Sequence, residues 1–280
     1  MSNPALSNNP AFSGKTLSAD ELRRIYDQPS ADLNRPGVDQ AATAAAGVAT
    51  ATHAGAGQPP VTGTAEPMTY NNVTSKTVFL FLLVIAGAAA GWAFPILLLP
   101  GAILGLVLGL VNAFKKEPSP VLIMLYALAQ GALLGGISMI YNAQFNGIVL
   151  QAVLGTFSVF GVTLILFRSG KVRTSPRATK IFMIAMFGYL AFSLVNLFLM
   201  LFGLTDNPWG LRSGWIGVAI GVVAVLLAAY SLVMDFELIK NGVENRIPEK
   251  WGWAAAFGLT VTLIWLYLEI LRILAILRGD

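Results

Sequence analysis

The chain has 280 residues, 56% of them apolar and only 11% charged, with a net charge of +4 and mean hydropathy +0.70. Such a composition excludes a soluble domain of this length and predicts a polytopic membrane protein. The absence of cysteine excludes disulfides, thiolate nucleophiles and iron–sulfur or zinc–thiolate sites. The small positive charge sits beside apolar spans, where loop topology explains it better than nucleic-acid binding does.

From Met1 to Tyr70 the chain is rich in Ala, Asn, Ser, Thr, Pro and Gly and holds no apolar run. Such a segment cannot bury enough surface to offset its chain entropy, so a disordered tail is predicted over 1–75. The exception is a short helix near 18–26, where Ser18 and Glu21 form a capping box. With no apolar stretch of the signal-peptide kind, the tail is expected to stay attached and cytoplasmic. Its functional alternative is a partner-binding tail.

Seven apolar segments follow, each near the roughly 20 residues that a membrane helix needs. They run over Thr77–Phe94, Ile96–Phe114, Pro120–Tyr141, Gly147–Phe167, Ile181–Leu204, Gly214–Ile239 and Trp253–Leu277. Pro95 divides the first two, and Pro100-Gly101 tightens the turn. Lys115 and Lys116 follow the second span, Arg168, Lys171, Arg173, Arg177 and Lys180 the fourth, and Lys240, Arg246 and Lys250 the sixth. The intervening turns carry only Arg212, so the N-terminus is expected inside and the C-terminus outside. Trp92, Trp209 and Trp215 then fall at the outer boundary and Trp251 and Trp253 at the inner one.

Small residues recur every fourth position: Gly87 and Gly91, then Gly101, Gly105 and Gly109, then Ala127, Gly131 and Gly135, then Gly217 and Gly221. Such rows let helix backbones approach closely and read as packing surfaces rather than ligand sites. No internal repeat supports an inverted-repeat transporter.

The reactive inventory is short. The single histidine, His53, lies in the tail, which removes a bundle histidine from protease or metal chemistry, and the last span has no lysine for a Schiff base. No nucleophile–base arrangement points to an enzyme, and no cofactor is implied. What remains are two carboxylates inside apolar spans, Asp235 and Glu269. Intramembrane carboxylates face a bundle interior or a water path. Glu269 therefore needs protein or water around it, and Ala254, Gly258 and Thr262 offer helix neighbours a small face. Glu237 points about 160° away from Asp235 on a helix and reads as a boundary residue paired with Lys240.

The stretch from Leu232 through Asp235, Phe236 and Glu237 to Lys240, followed by Leu266-Tyr267-Leu268-Glu269-Ile270-Leu271 and Leu277-Arg278, resembles the last two helices of the Bax-inhibitor family of membrane proteins. The hairpin Phe94 to Gly101 and the pair Gln130-Gly131 fit the same pattern. The resemblance covers 76–280 and not the tail, whose alanine content points to a bacterial plasma-membrane member. It implies an all-α, seven-helix integral membrane bundle with the last helix central. It further implies a pH-sensitive calcium leak whose proton sensor is a carboxylate pair, carried over here to Asp235 and Glu269. Calcium would be the permeant ion, bound transiently by those oxygens. Two carboxylates sharing a site cannot both ionise freely, which makes such a pair a proton-controlled contact between helices six and seven.

This sequence departs from the pattern in three places. Glu stands where the family usually has Asp, the connection Asn241–Lys250 is longer, and the base at the end of helix two is replaced by Lys115 and Lys116, one turn later. Depth arithmetic puts Glu269 sixteen residues, about 24 Å, beyond Trp253, while Asp235 lies near the inner end of span six. The alternative reading is that each acid neutralises a base, Glu269 with Arg272 and Asp235 with a loop lysine. The matching functional alternative is a non-conducting regulator that binds other membrane proteins. Expected partners are thus the lipid bilayer, calcium ions and protons, or other membrane proteins, and no nucleic acid.

Overall fold

The computed structural model describes residues 66–205 and 210–279. The tail with its expected helix at 18–26, His53, Trp209 and the terminal Asp280 lie outside the described residues. Within them the chain forms helices α1 (Tyr70–Ala93), α2 (Leu98–Phe114), α3 (Pro120–Gln144), α4 (Ile148–Arg168), α5 (Pro176–Leu201), α6 (Gly214–Glu244) and α7 (Trp251–Gly279), with a 3₁₀ turn at Pro95–Leu97 leading into α2. All seven helices, α2 taken with its 3₁₀ turn, are long and apolar enough to cross a membrane. The fold is the all-α membrane bundle that the sequence predicts.

Local chemistry sets the boundaries. Thr69 caps α1 by accepting a hydrogen bond from the Asn72 amide at 3.2 Å, and Ser175 caps α5 with Pro176 at the first helical position. The α1 helix ends at Phe94, because the residue before a proline is driven out of the helical region. At the start of α4, Gly147 has φ +77°, a left-handed conformation that glycine adopts without strain.

The bundle begins earlier than the expected boundary at 75/76. Met68 is only 2% exposed, its amide donates to the Ile247 carbonyl at 2.8 Å, and Pro67 pairs with Pro248 in an isolated antiparallel bridge. Residues 66–75 therefore belong to the folded unit. At the other boundary, α6 runs on through Glu244, beyond the expected Ile239, because Ile239 and Gly242 still bury against this entry segment.

The glycine rows are backbone-to-backbone contacts. A Cβ on Gly135 of α3 would lie 2.8 Å from the Ala88 Cα of α1, and one on Gly101 of α2 would lie 2.9 Å from the Leu133 nitrogen of α3. The α1–α3 and α2–α3 seams are thus as close as helices can pack. The α7 helix is enclosed by α1, α3, α4 and α6 and is the most buried of the seven, whereas α5 is the least buried. One core joins α1, α3, α4 and α7 around Leu80, Ile123 and Leu271, and a second joins α1, α6 and α7 around Leu232 and Leu266.

One end of the bundle collects the start of α1 and the α2–α3, α4–α5 and α6–α7 loops, and is here called the basic end. There Glu249 accepts from Asn72 and, at 3.0 Å, from the Lys76 ammonium, and Lys250 reaches Glu117 at 2.8 Å. These donors hold the Glu249 carboxyl below the usual carboxylate range, the Asn72 hydrogen bond first and the Lys76 hydrogen bond and charge after it. At the opposite end, Arg278 ties α7 to the Asn146 carbonyl at 2.9 Å and to Gln151 at 2.8 Å.

Candidate functional site: two carboxylate stations on the central helix

Both intramembrane acids lie at α7, but they do not meet. Asp235, on α6, faces the small side of α7. Its Oδ2 accepts a hydrogen bond from Thr262 at 2.7 Å, and a Cβ on Gly258 would sit 3.1 Å from its Oδ1. Ser231, one turn earlier on α6, lies 3.4 Å from the Thr262 hydroxyl and extends the hydroxyl chain. Since Thr262 gives its proton to Asp235, Ser231 is the donor in that second bond. Among the described residues no cation stands within ion-pair distance of Asp235, so the loop-lysine alternative has no support for this residue. The small face around Gly258 and Thr262 is what admits the carboxylate to the helix surface.

Glu269 belongs to a second station, seven residues or about 10 Å further along α7. It is 3% exposed. Its Oε1 accepts from the Tyr189 hydroxyl of α5 and from Trp265 Nε1 at 3.2 Å, and lies 3.9 Å from Arg212 Nη1, while Oε2 faces the Arg272 guanidinium. Arg212 enters from the α5–α6 connection and is itself buried. It donates to Tyr189 at 3.1 Å and to Ser193, and stacks over the Tyr189 ring at 4.9 Å and the Phe192 ring at 5.2 Å. The connection is pinned by the Leu211 amide, which donates to Asn196 Oδ1 at 2.6 Å. Two guanidiniums thus surround one carboxylate in a low-dielectric interior, with Tyr189 as the shared hydrogen-bond hub.

Between the stations the helix is plugged. Leu263 and Ile264 are buried and Leu266 is fully so, while Tyr267 turns toward α3 to share a 2.6 Å hydrogen bond with Ser138. The residues of α7 between Thr262 and Glu269 that face the bundle are thus mostly apolar.

The expected site is therefore redistributed. The carboxylates do not form a shared pair in this conformation, because α7 starts at Trp251 and no displacement brings Glu269 down to the Asp235 level. Arg272 does partner Glu269 at i,i+3. Glu237 is not paired with Lys240: its Oε2 is buried without a hydrogen-bond partner, and Lys240 instead lies 3.8 Å from Glu244, one turn on. Lys115 and Lys116 are exposed in the α2–α3 loop and touch neither acid, Lys115 acting on Glu117 instead. Tyr189, Ser193 and Arg212 are site residues that the sequence reading passed over. Their signal is present, since Tyr189, Ser193 and Asn196 recur at i, i+4 and i+7 on an otherwise apolar helix, and Arg212 is the lone base in the turns of its side.

Seven helices able to span a membrane, the last of them buried among α1, α3, α4 and α6 and carrying acids and bases at its surface, define an integral membrane protein with an intramembrane ionisable core. The Bax inhibitor 1 like family matches the chain over residues 3–279, and the chain belongs to that family. The match takes in the N-terminal segment as well as the helices, and so extends beyond the 76–280 over which the sequence resemblance was drawn. No curated protein matches the chain.

Proposed function

We propose that this protein is a proton-sensitive, calcium-permeable leak of a bacterial plasma membrane, captured here closed, with the basic end cytoplasmic. The observation that carries the reading is Asp235: a carboxylate at an interhelical seam of a spanning helix, held by a hydroxyl and, among the described residues, by no cation. Such a group changes charge with proton concentration and has no fixed partner to neutralise it. In its charged form it repels the dry α6–α7 seam, admits water, and presents oxygen, together with Thr262 and Ser231, to a hard cation. Deprotonation therefore favours opening, and flux rises with pH. Glu269 serves as a second station, at which calcium must displace Arg212 and Arg272. Family membership supports the membrane setting of this reading.

The second reading, a non-conducting regulator of other membrane proteins, is favoured by the same arginine cluster, since a carboxylate fully occupied by bases behaves as a structural tie. Calcium uptake into dye-loaded liposomes by purified protein separates the two. The leak requires protein-dependent, pH-dependent flux, and the regulator gives none.

A further inference from the structure

The α1 and α4 helices both lean on α7 yet barely meet each other, which leaves a lateral groove whose floor is the central helix. Two apolar cavities lie in it, one of about 430 Å³ reaching to Trp92 and one of about 470 Å³ reaching down to Tyr70 at the basic end. Phe81 and Phe157 line both, so the two cavities lie end to end with these rings at their boundary. From Tyr70 to Phe81 is eleven residues, about 17 Å along α1, close to the roughly 15 Å of one leaflet's hydrocarbon. The cavity at the basic end thus has the depth of a single acyl chain.

Its mouth is charged. Phe167 lines this cavity, and the chain continues directly into Arg168, Lys171, Arg173, Arg177 and Lys180 without one acidic residue. Arg168, Lys171 and Arg173 are exposed, and no ion pair among the described residues engages any of the five. The other basic segments carry carboxylates of their own: Glu117 follows Lys115 and Lys116 and pairs with Lys250, and Glu249 precedes Lys250 and pairs with Lys76 of α1. A membrane-side cluster of unneutralised bases above an apolar slot is the complement of an anionic phospholipid, phosphate outside and chain within.

We propose that the groove between α1 and α4 is a binding site for an anionic phospholipid, whose acyl chain fills the cavity at the basic end and whose headgroup meets the Arg168–Lys171 segment. The chain rests on Phe236, the residue after Asp235, so lipid occupancy and the first carboxylate station share one stretch of α6.

The test uses full-length protein in nanodiscs containing phosphatidylglycerol or phosphatidylcholine with a diazirine in the acyl chain, and maps labelled residues by mass spectrometry. Phosphatidylglycerol is expected to label Val78, Leu164 and Phe236 in preference to the exposed α5 face at Phe187 and Phe198. Arg168→Gln with Lys171→Gln, both exposed at and beyond the end of α4, should weaken the preference for the anionic lipid about fivefold per charge removed. Val78→Trp, which fills the slot from its open side, should abolish groove labelling with either lipid. Equal labelling of groove and α5, a preference that survives charge removal, or cross-links showing a second copy of the chain in the groove would each overturn the proposal.

Discussion

Removing the Glu269 carboxylate should destabilise the bundle far more than removing either arginine beside it. The side chains of Glu269, Arg212 and Arg272 are only 4%, 7% and 17% exposed, so their charges have lost most of their hydration. Glu269→Gln strands two guanidiniums in the interior with no anion, and breaking a buried pair in this way costs about 3–5 kcal/mol. Arg212→Met is different: Glu269 keeps Arg272, one of two like charges is gone, and what is lost is the hydrogen bonds to Tyr189 and Ser193 and the stacking on the Tyr189 and Phe192 rings, about 1–3 kcal/mol. The gap, about 2 kcal/mol, is roughly a thirtyfold difference in unfolding equilibrium. Reversible unfolding in mixed micelles, followed by tryptophan fluorescence, measures both variants and the double variant. Because Arg212→Met removes one of the stranded cations, the double variant should be less destabilised than the sum of the singles. Equal single effects that simply add would refute the cluster as an energetic unit.

Three further outcomes follow from other parts of the bundle. Gly135→Val places a side chain into the backbone of α1 at Ala88, where nothing flexible gives way, and should disrupt the α1–α3 seam, read as loss of the monodisperse peak in size-exclusion chromatography. Glu249→Gln weakens the clasp between α1 and the α6–α7 loop, and amide exchange over 242–251 should accelerate. Because the folded carboxyl titrates below its ordinary range, the clasp is fully present above that range and is lost as pH falls through the lowered value, so acid should reproduce the Glu249→Gln exchange pattern in the wild type while neutral pH does not. Deleting residues 1–60 removes no group of the described bundle, so insertion and flux should persist, and loss of insertion would give the tail a structural role.

The helices were legible because composition, proline and loop charge punctuate the chain: Pro95, Pro120 and Pro176 stand at or beside helix starts, and the basic loops separate the spans. Legibility failed where packing past the membrane decides. The continuation of α6 to Glu244 and the folding of residues 66–75 depend on a contact between Met68 and the loop after α6, which no local pattern announces. Asp235 and Glu269 stood out as charges in apolar spans, yet their partners are set by helix rotation and depth. Thr262 read only as a small residue, and Arg212 as a loop base. A difference in depth between the acids was present in the arithmetic from Trp253, and in the structure they stay apart, with Glu269 bound to arginines two turns of α7 beyond the Thr262 that holds Asp235.

The most direct test of the proposed leak is calcium flux into liposomes by wild-type protein and by Asp235→Asn, measured across a pH series at fixed calcium and membrane potential. Wild-type flux should rise as pH rises, because deprotonation charges the α6–α7 seam at Thr262. The Asn variant keeps a hydrogen-bond acceptor for that hydroxyl but cannot change charge, and its flux should be low and flat with pH. A pH profile in Asp235→Asn that matches wild type would contradict the assignment of Asp235 as the proton-responsive group, and the absence of any wild-type flux would contradict the leak itself.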